Sequence, residues 1–168
     1  VAARSGETVV ELRSWPDGKL ERVFAGRFPQ SLCALALTDG AARIAGGDLA
    51  GRVTVWRGDG RDGSLLELRG HTEAIRGLKF SGDGRLLAST SEDGTLRAWD
   101  CAIGEEFTKM NFDAATPSFA PDGTRVGVGY SAGRLAQIYL EPSPVLHRFR
   151  PAPAPELPQA VSFFPDGR

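Results

Sequence analysis

The sequence predicts an all-β chain built from repeated sheets of four short antiparallel strands. Three observations carry that prediction. Asp-Gly turns recur at Asp39, Asp83, Asp122 and Asp166, which stand 44, 39 and 44 residues apart. Aromatic residues recur at Trp56, Trp99 and Tyr139, 43 and 40 residues apart. The apolar runs between these markers are short and closely spaced. They leave no room for crossover helices, so neighbouring runs read as antiparallel strands joined by tight turns. Asp and Gly both tolerate the positive φ that such turns need.

Taken in order, residues 1–24 read as strand, turn, strand, turn and strand, with Trp15-Pro16-Asp17-Gly18 as the second turn. Residues 26–30 form a connector. Residues 32–37 are an apolar strand ending at Thr38-Asp39-Gly40, and 41–45 a weaker one. Residues 46–51 read as a loop, 52–57 as a strand carrying Val53, Val55 and Trp56, 58–63 as a second loop and 64–69 as a fourth strand. Residues 70–100 hold the clearest unit: apolar Ile75, Leu78 and Phe80, the Gly82-Asp83-Gly84 turn, Leu86 to Ala88, the Glu92-Asp93-Gly94 turn, then Leu96, Ala98 and Trp99. Residues 106–110 follow as its fourth strand. Ser118 to Ala120, 125–130, 135–140 and 145–149 give another four strands. The Pro-rich stretch 151–158 reads as a connector, and 160–164 as one more first strand before Pro165-Asp166-Gly167.

A period near 40 residues with four strands per unit is the sequence mark of a blade in a β-propeller. One such sheet cannot bury both its faces alone, and radial stacking of blades buries them. The chain reads as one partial or self-completing β-propeller over residues 1–168. Its units are 1–26 (the last three strands of a blade), 31–69, 74–110, 115–149 and 159–168 (the first strand of a blade). That is about four blades' worth of sequence with incomplete blades at both ends. Continuation into further blades is favoured over a four-blade ring or a ring of two copies, because ragged ends leave unpaired strand edges.

The period, Gly70-His71, the turn at Phe80 to Gly84 and the run Ser89, Asp93-Gly94, Trp99-Asp100 resemble the WD40 repeat family. The resemblance implies a WD40-like propeller of four-stranded antiparallel blades. It also implies a hydrogen-bonded structural tetrad of His71, Ser89, Asp93 and Trp99. In such a tetrad Asp93 fixes the His71 tautomer, and Ser89 links the other ring nitrogen to the Trp99 indole. Trp56 and Tyr139 are the repeat-equivalent core aromatics. Gly46 and Ala50 replace the Ser and Asp in one neighbouring unit, and Gly129 and Gly133 in the other.

Composition narrows the function classes. The 168 residues are 41% hydrophobic, enough for a core, and 21 Gly with 11 Pro suit many turns. Twenty basic against 21 acidic residues give a net charge of -1, so nucleic acid and anionic membrane are not expected partners. No run approaches the ~18 apolar residues of a membrane span, and a soluble, cytoplasmic protein is favoured. Cys33 and Cys101 are expected as free core residues rather than a disulfide or metal pair. His71 suits a structural role, and His147 falls on a fourth strand. No phosphate loop, nucleophile elbow or zinc spacing occurs, so no catalytic residue, metal or cofactor is expected. The turn aspartates, including Asp59 and Asp62, suit hairpin chemistry better than calcium.

The expected function is a non-catalytic protein–protein interaction scaffold for a protein or peptide partner. Glu73 and Glu92, beside His71 and Asp93, are candidate partner contacts. The alternatives are an accessory or substrate-positioning domain of a larger enzyme, and a structural module for ring assembly, including a homodimer.

Overall fold

The structure, a computed structural model, describes residues 8–14, 16–26, 31–57, 65–111, 116–130, 134–140 and 146–149. The expected strand at the extreme N-terminus, Trp15, Arg27, the Asp59–Asp62 loop, Gly133, the connector 151–158 and the strand at 160–164 lie outside the described residues. The backbone at His147 is described and its side chain is not.

Strands β1 (Thr8–Arg13) and β2 (Leu20–Gly26) pair antiparallel. Three four-stranded sheets follow. The first holds β3 (Leu32–Leu37), β4 (Arg43–Asp48), β5 (Val53–Arg57) and β6 (Leu65–Leu68). The second holds β7 (Ile75–Phe80), β8 (Leu86–Ser91), β9 (Thr95–Asp100) and β10 (Glu105–Asn111). The third holds β11 (Ser118–Phe119), β12 (Arg125–Tyr130), β13 (Arg134–Tyr139) and β14 (Leu146–Phe149). Each is a meander whose strand order equals chain order. Strand β3 packs on β7 and β7 on β11, so the first strands of successive sheets neighbour one another. That is the arrangement of consecutive blades in part of a propeller.

Three apolar clusters fill the seams. Phe24 packs against Ile44 and Trp56 between β1–β2 and the first blade, with Phe24 edge-on to Trp56 at 6.4 Å. Ala45, Val53, Val55 and Leu68 meet Leu78, Phe80, Leu87 and Trp99 between the first and second blades. Ala88, Leu96 and Ala98 meet Phe119, Val126, Val128 and Ile138 between the second and third. The second blade therefore buries both its faces, one on each neighbour, and the first buries one face on the second blade and part of the other on β1–β2.

Register corrects two sequence readings. Trp56 stands opposite Ile44 and Trp99 opposite Leu87, and the matching pair in the third blade is Val126 with Ile138. Ile138 is therefore the repeat equivalent of the tryptophans. Tyr139 pairs with Arg125 one place on, where Asp100 pairs with Leu86. Because successive strand residues face opposite sides, that single step moves Tyr139 to the other face. The same register puts Val128, not Gly129, at the position of Ser89.

The glycines Gly46 and Gly47 belong to β4 rather than to a loop. A Cβ on Gly46 would lie 2.9 Å from Leu32 and 3.1 Å from the Trp56 ring, and one on Gly47 2.7 Å from Ile75. Both are strand glycines because neighbouring side chains occupy their space. Cys33 is exposed, against expectation, whereas Cys101 is buried; both are free thiols. A bulge between Leu32 and Ala34 takes Cys33 out of the alternation. Its Sγ reaches the Ile75 carbonyl at 3.0 Å.

Candidate functional site

The second blade carries a chain of buried polar side chains at one end. His71 lies in the connector between β6 and β7, Ser89 within β8, Asp93 in the turn from β8 to β9, and Trp99 near the end of β9. The Trp99 indole N–H donates to Ser89 Oγ at 2.8 Å. Ser89 Oγ lies 2.8 Å from His71 Nε2, and His71 Nδ1 lies 2.9 Å from Asp93 Oδ2. Because Ser89 Oγ accepts from the indole, its own proton is free to go to Nε2. Nε2 must then be unprotonated, and Nδ1–H donates to Asp93. One neutral tautomer satisfies every group in the chain.

The ionisation of both ends agrees with that assignment. Burial lowers the His71 pKa, outweighing the hydrogen bond and the charge of Asp93, so the ring is neutral. For Asp93, burial works to raise the pKa, but hydrogen bonds from Thr95, His71 and the Thr72 amide hold the carboxyl below its ordinary range.

Thr95 and Gly70 belong to the same assembly; the sequence reading missed Thr95 and took Gly70 only as part of the Gly70-His71 motif. Thr95 Oγ1 donates to Asp93 Oδ1 at 2.6 Å and lies 3.1 Å from His71 Nδ1. The Thr95 amide also donates to Oδ1, at 2.9 Å, and the Thr72 amide to Oδ2, at 3.1 Å. The signal was a hydroxyl two residues after a turn Asp. It recurs at Asp122, whose Oδ1 accepts from both the amide and the hydroxyl of Thr124. Gly70 is glycine because a Cβ there would run into the Arg97 guanidinium and stand 3.0 Å from the Trp99 ring. Arg97 is buried, ion-paired with Glu106 and placed 6.0 Å from the centroid of the Trp99 ring.

The structure thus brings His71, Ser89, Asp93 and Trp99 together and leaves the other named residues apart from them. Trp56 is in the seam cluster with Phe24. Gly46 and Ala50 stand at the places of Ser89 and Asp93 in the first blade, as the sequence reading had it. Glu73 and Glu92 are both exposed at the rim beside the network. The Glu73 carbonyl accepts from Ser91 Oγ at 2.8 Å, and Glu92 lies 4.0 Å from Arg76. Among the described residues, no group of three or more His, Cys, Asp or Glu side chains is placed to hold a metal ion. No helix there is long and apolar enough to cross a membrane.

Residues 63–100, which contain this network, match the family model described as "WD domain, G-beta repeat". Residues 63–100 are a WD40 repeat, set in a stack of propeller-type blades. The fold of the chain is shared by the β-propeller domain of Cps50 (Swd1) from Myceliophteria thermophila, with a TM-score of 0.64 over 73% of this chain and 40% of that one. At 20% identity that likeness speaks for the fold alone. The serine-threonine kinase receptor-associated protein of Gallus gallus is 32% identical over 108 residues, 64% of this chain and 27% of that protein. The nuclear distribution protein PAC1 of Trichophyton verrucosum is 34% identical over 102 residues, 55% of this chain and 22% of that protein. The chain therefore spans about a quarter of the length of those two curated relatives.

Proposed function

We propose that the chain supplies blades to a non-catalytic protein–protein interaction scaffold. The observation that carries this reading is the internal satisfaction of the His71 network. Its donors and acceptors are spent on one another, so the network stiffens the rim loops rather than presenting a reactive group. The exposed side chains of that rim are Thr72, Glu73, Arg76 and Glu92. Rigid blades with polar loops form a surface suited to a peptide or a partner domain. The WD40 repeat and the name of the Gallus gallus relative, which describes association with a receptor, support the same reading.

The test is affinity capture with the full-length protein under native conditions, beside a Glu73→Lys/Glu92→Lys variant. A partner recovered with the parent and lost with the variant is the expected result. Reproducible recovery of nothing would remove the reading.

A second reading is favoured by one specific feature. Leu35 and Leu37 on β3 are 54% and 60% exposed. Their register equivalents on β7, Leu78 and Phe80, are 5% and 4% exposed because the first blade covers them. The β3 face is a blade–blade surface with only its outer part covered, by Phe24 with Val10 and Leu12. Assembly onto a further blade, from the same polypeptide or from a second copy, would cover the rest.

A further inference from the structure

The seam between the first and second blades opens on the rim as a cleft of about 160 Å³, lined by Ala50, Gly51, Arg52, Arg69, Gly70 and His71. We propose that this cleft anchors a carboxylate side chain of an acidic partner peptide. The inference rests on the scaffold reading and gives its partner a chemistry.

Three observations carry it. The floor is bare for independent reasons. Gly51 has φ +81°, and a Cβ there would stand 2.8 Å from the His71 and Glu73 carbonyl oxygens. Gly70 has no room for a side chain beside Arg97 and Trp99. Ala50 takes the register position that Asp93 holds in the second blade, so no side-chain carboxylate stands at that position; the carboxylate of this blade end is the buried Asp48, whose Oδ1 accepts from the Ala50 and Arg52 amides.

Two of the lining residues are arginines that already hold a carboxylate beside the cleft. Glu67 Oε1 lies 3.5 Å from Arg52 Nη1, and its Oε2 lies 2.6 Å from Arg69 Nη2. Arg69 Nε also donates to that Oε2, at 3.1 Å. Glu67 therefore shows, from within the chain, that these two arginines can share one carboxylate. The Arg69 side chain is 75% exposed and can turn to an incoming acid while Glu67 keeps Arg52. Arginine is suited to this exchange because its planar fork engages two carboxylate oxygens at once. Size argues in the same direction, since the cleft admits one short side chain rather than a folded element.

The test uses the full chain and a fluorescein-labelled hexaglutamate peptide, with hexaglutamine as the neutral control. Amide shifts at Ala50, Gly51 and Gly70 locate binding. Hexaglutamate is expected to move those amides and hexaglutamine to leave them in place. Arg69→Ala should weaken binding roughly tenfold, the scale of one charge-assisted hydrogen bond. Glu67→Gln removes the internal competitor and should tighten binding severalfold. Because Arg69 and Glu67 lie on the exposed rim, an unchanged far-ultraviolet spectrum is expected in both variants. Equal binding of the two peptides, shifts confined to other residues, or identical affinity in parent and Arg69→Ala would overturn the proposal. A cellular partner captured equally by parent and Arg69→Ala would also overturn it, while leaving the scaffold reading in place.

Discussion

Ser89 is where the His71 network can be cut with the least change of shape. Its hydroxyl accepts from the Trp99 indole and donates to His71, so Ser89→Ala leaves one buried donor and one buried acceptor without partners. Each such orphan costs about 1–3 kcal/mol. Ser89→Ala should therefore lose on the order of 2–4 kcal/mol in urea unfolding. Thr72→Ala keeps the amide that bonds Asp93 and should stay within about 0.5 kcal/mol of the parent. Equal losses in the two variants would mean that the network does not stabilise the blade.

The same residues set a dependence on acid. The folded His71 ring resists a proton that the unfolded chain takes up below about pH 6.5. The unfolded state then binds more protons, and stability falls as pH falls. Asp93 adds a second loss below about pH 4, where its carboxyl is protonated in the unfolded chain and still ionised in the folded one. Urea midpoints measured from pH 7.5 down to 3.5 should decline in two stages. His71→Gln should flatten the upper stage and keep a lower one; an unaltered upper stage would assign it to other groups. Of this network, His71, Ser89, Asp93 and Trp99 were legible in sequence because their spacing is tied to the strand and turn lengths of one blade. Thr95 was not, since a turn threonine is common for many reasons, and Gly70 was legible as a motif residue but not in its packing role. The packed Arg97 and Trp99 side chains reveal why Gly70 is needed, and the Asp93 carboxylate reveals why Thr95 is.

At the scale of the strand, β13 separates pattern from register. Tyr139 stands out in the sequence as the aromatic residue nearest the period, yet Ile138 occupies the core position and is fully buried. The Asp-Gly spacing held the answer: Asp83 to Asp122 is 39 residues, as is Trp99 to Ile138. A turn is fixed by backbone conformation, so it keeps register better than a side chain that can be exchanged for another apolar one. Ile138→Ala should cost about 2–5 kcal/mol by leaving a cavity against Ala88 and Phe119. Tyr139→Ala should cost clearly less in the same denaturant series, because Tyr139 is only half-buried. The reverse order would return the core position to Tyr139. Strand β4 shows the limit of local reading from the other side. Gly46-Gly47-Asp48 looks like a loop by composition, and it is strand because Trp56 and Ile75 leave no room for side chains there.

Across the molecule, the clearest asymmetry is between β3 and β7. They are the same element in consecutive blades, and Leu35 and Leu78 occupy the same register position, opposite Gly46 and Ser89. Leu78 is buried on the first blade, so Leu78→Ala should cost about 2–5 kcal/mol. An exposed leucine has little to lose, and Leu35→Ala in a chain whose β3 face is open should stay within about 0.5 kcal/mol. If a further blade covers β3 in the full-length protein, the two substitutions should cost about the same, because identical positions would then be packed alike. Paired unfolding curves of Leu35→Ala and Leu78→Ala in that protein are therefore expected to shift together. Light scattering on Leu35→Lys separates the two ways of covering the face. A second copy would be driven off by the buried charge and halve the mass, whereas a blade of the same polypeptide would leave the mass unchanged and lower stability. A neutral Leu35→Ala alongside a costly Leu78→Ala would instead make β3 an open edge, and assembly through that face would be excluded.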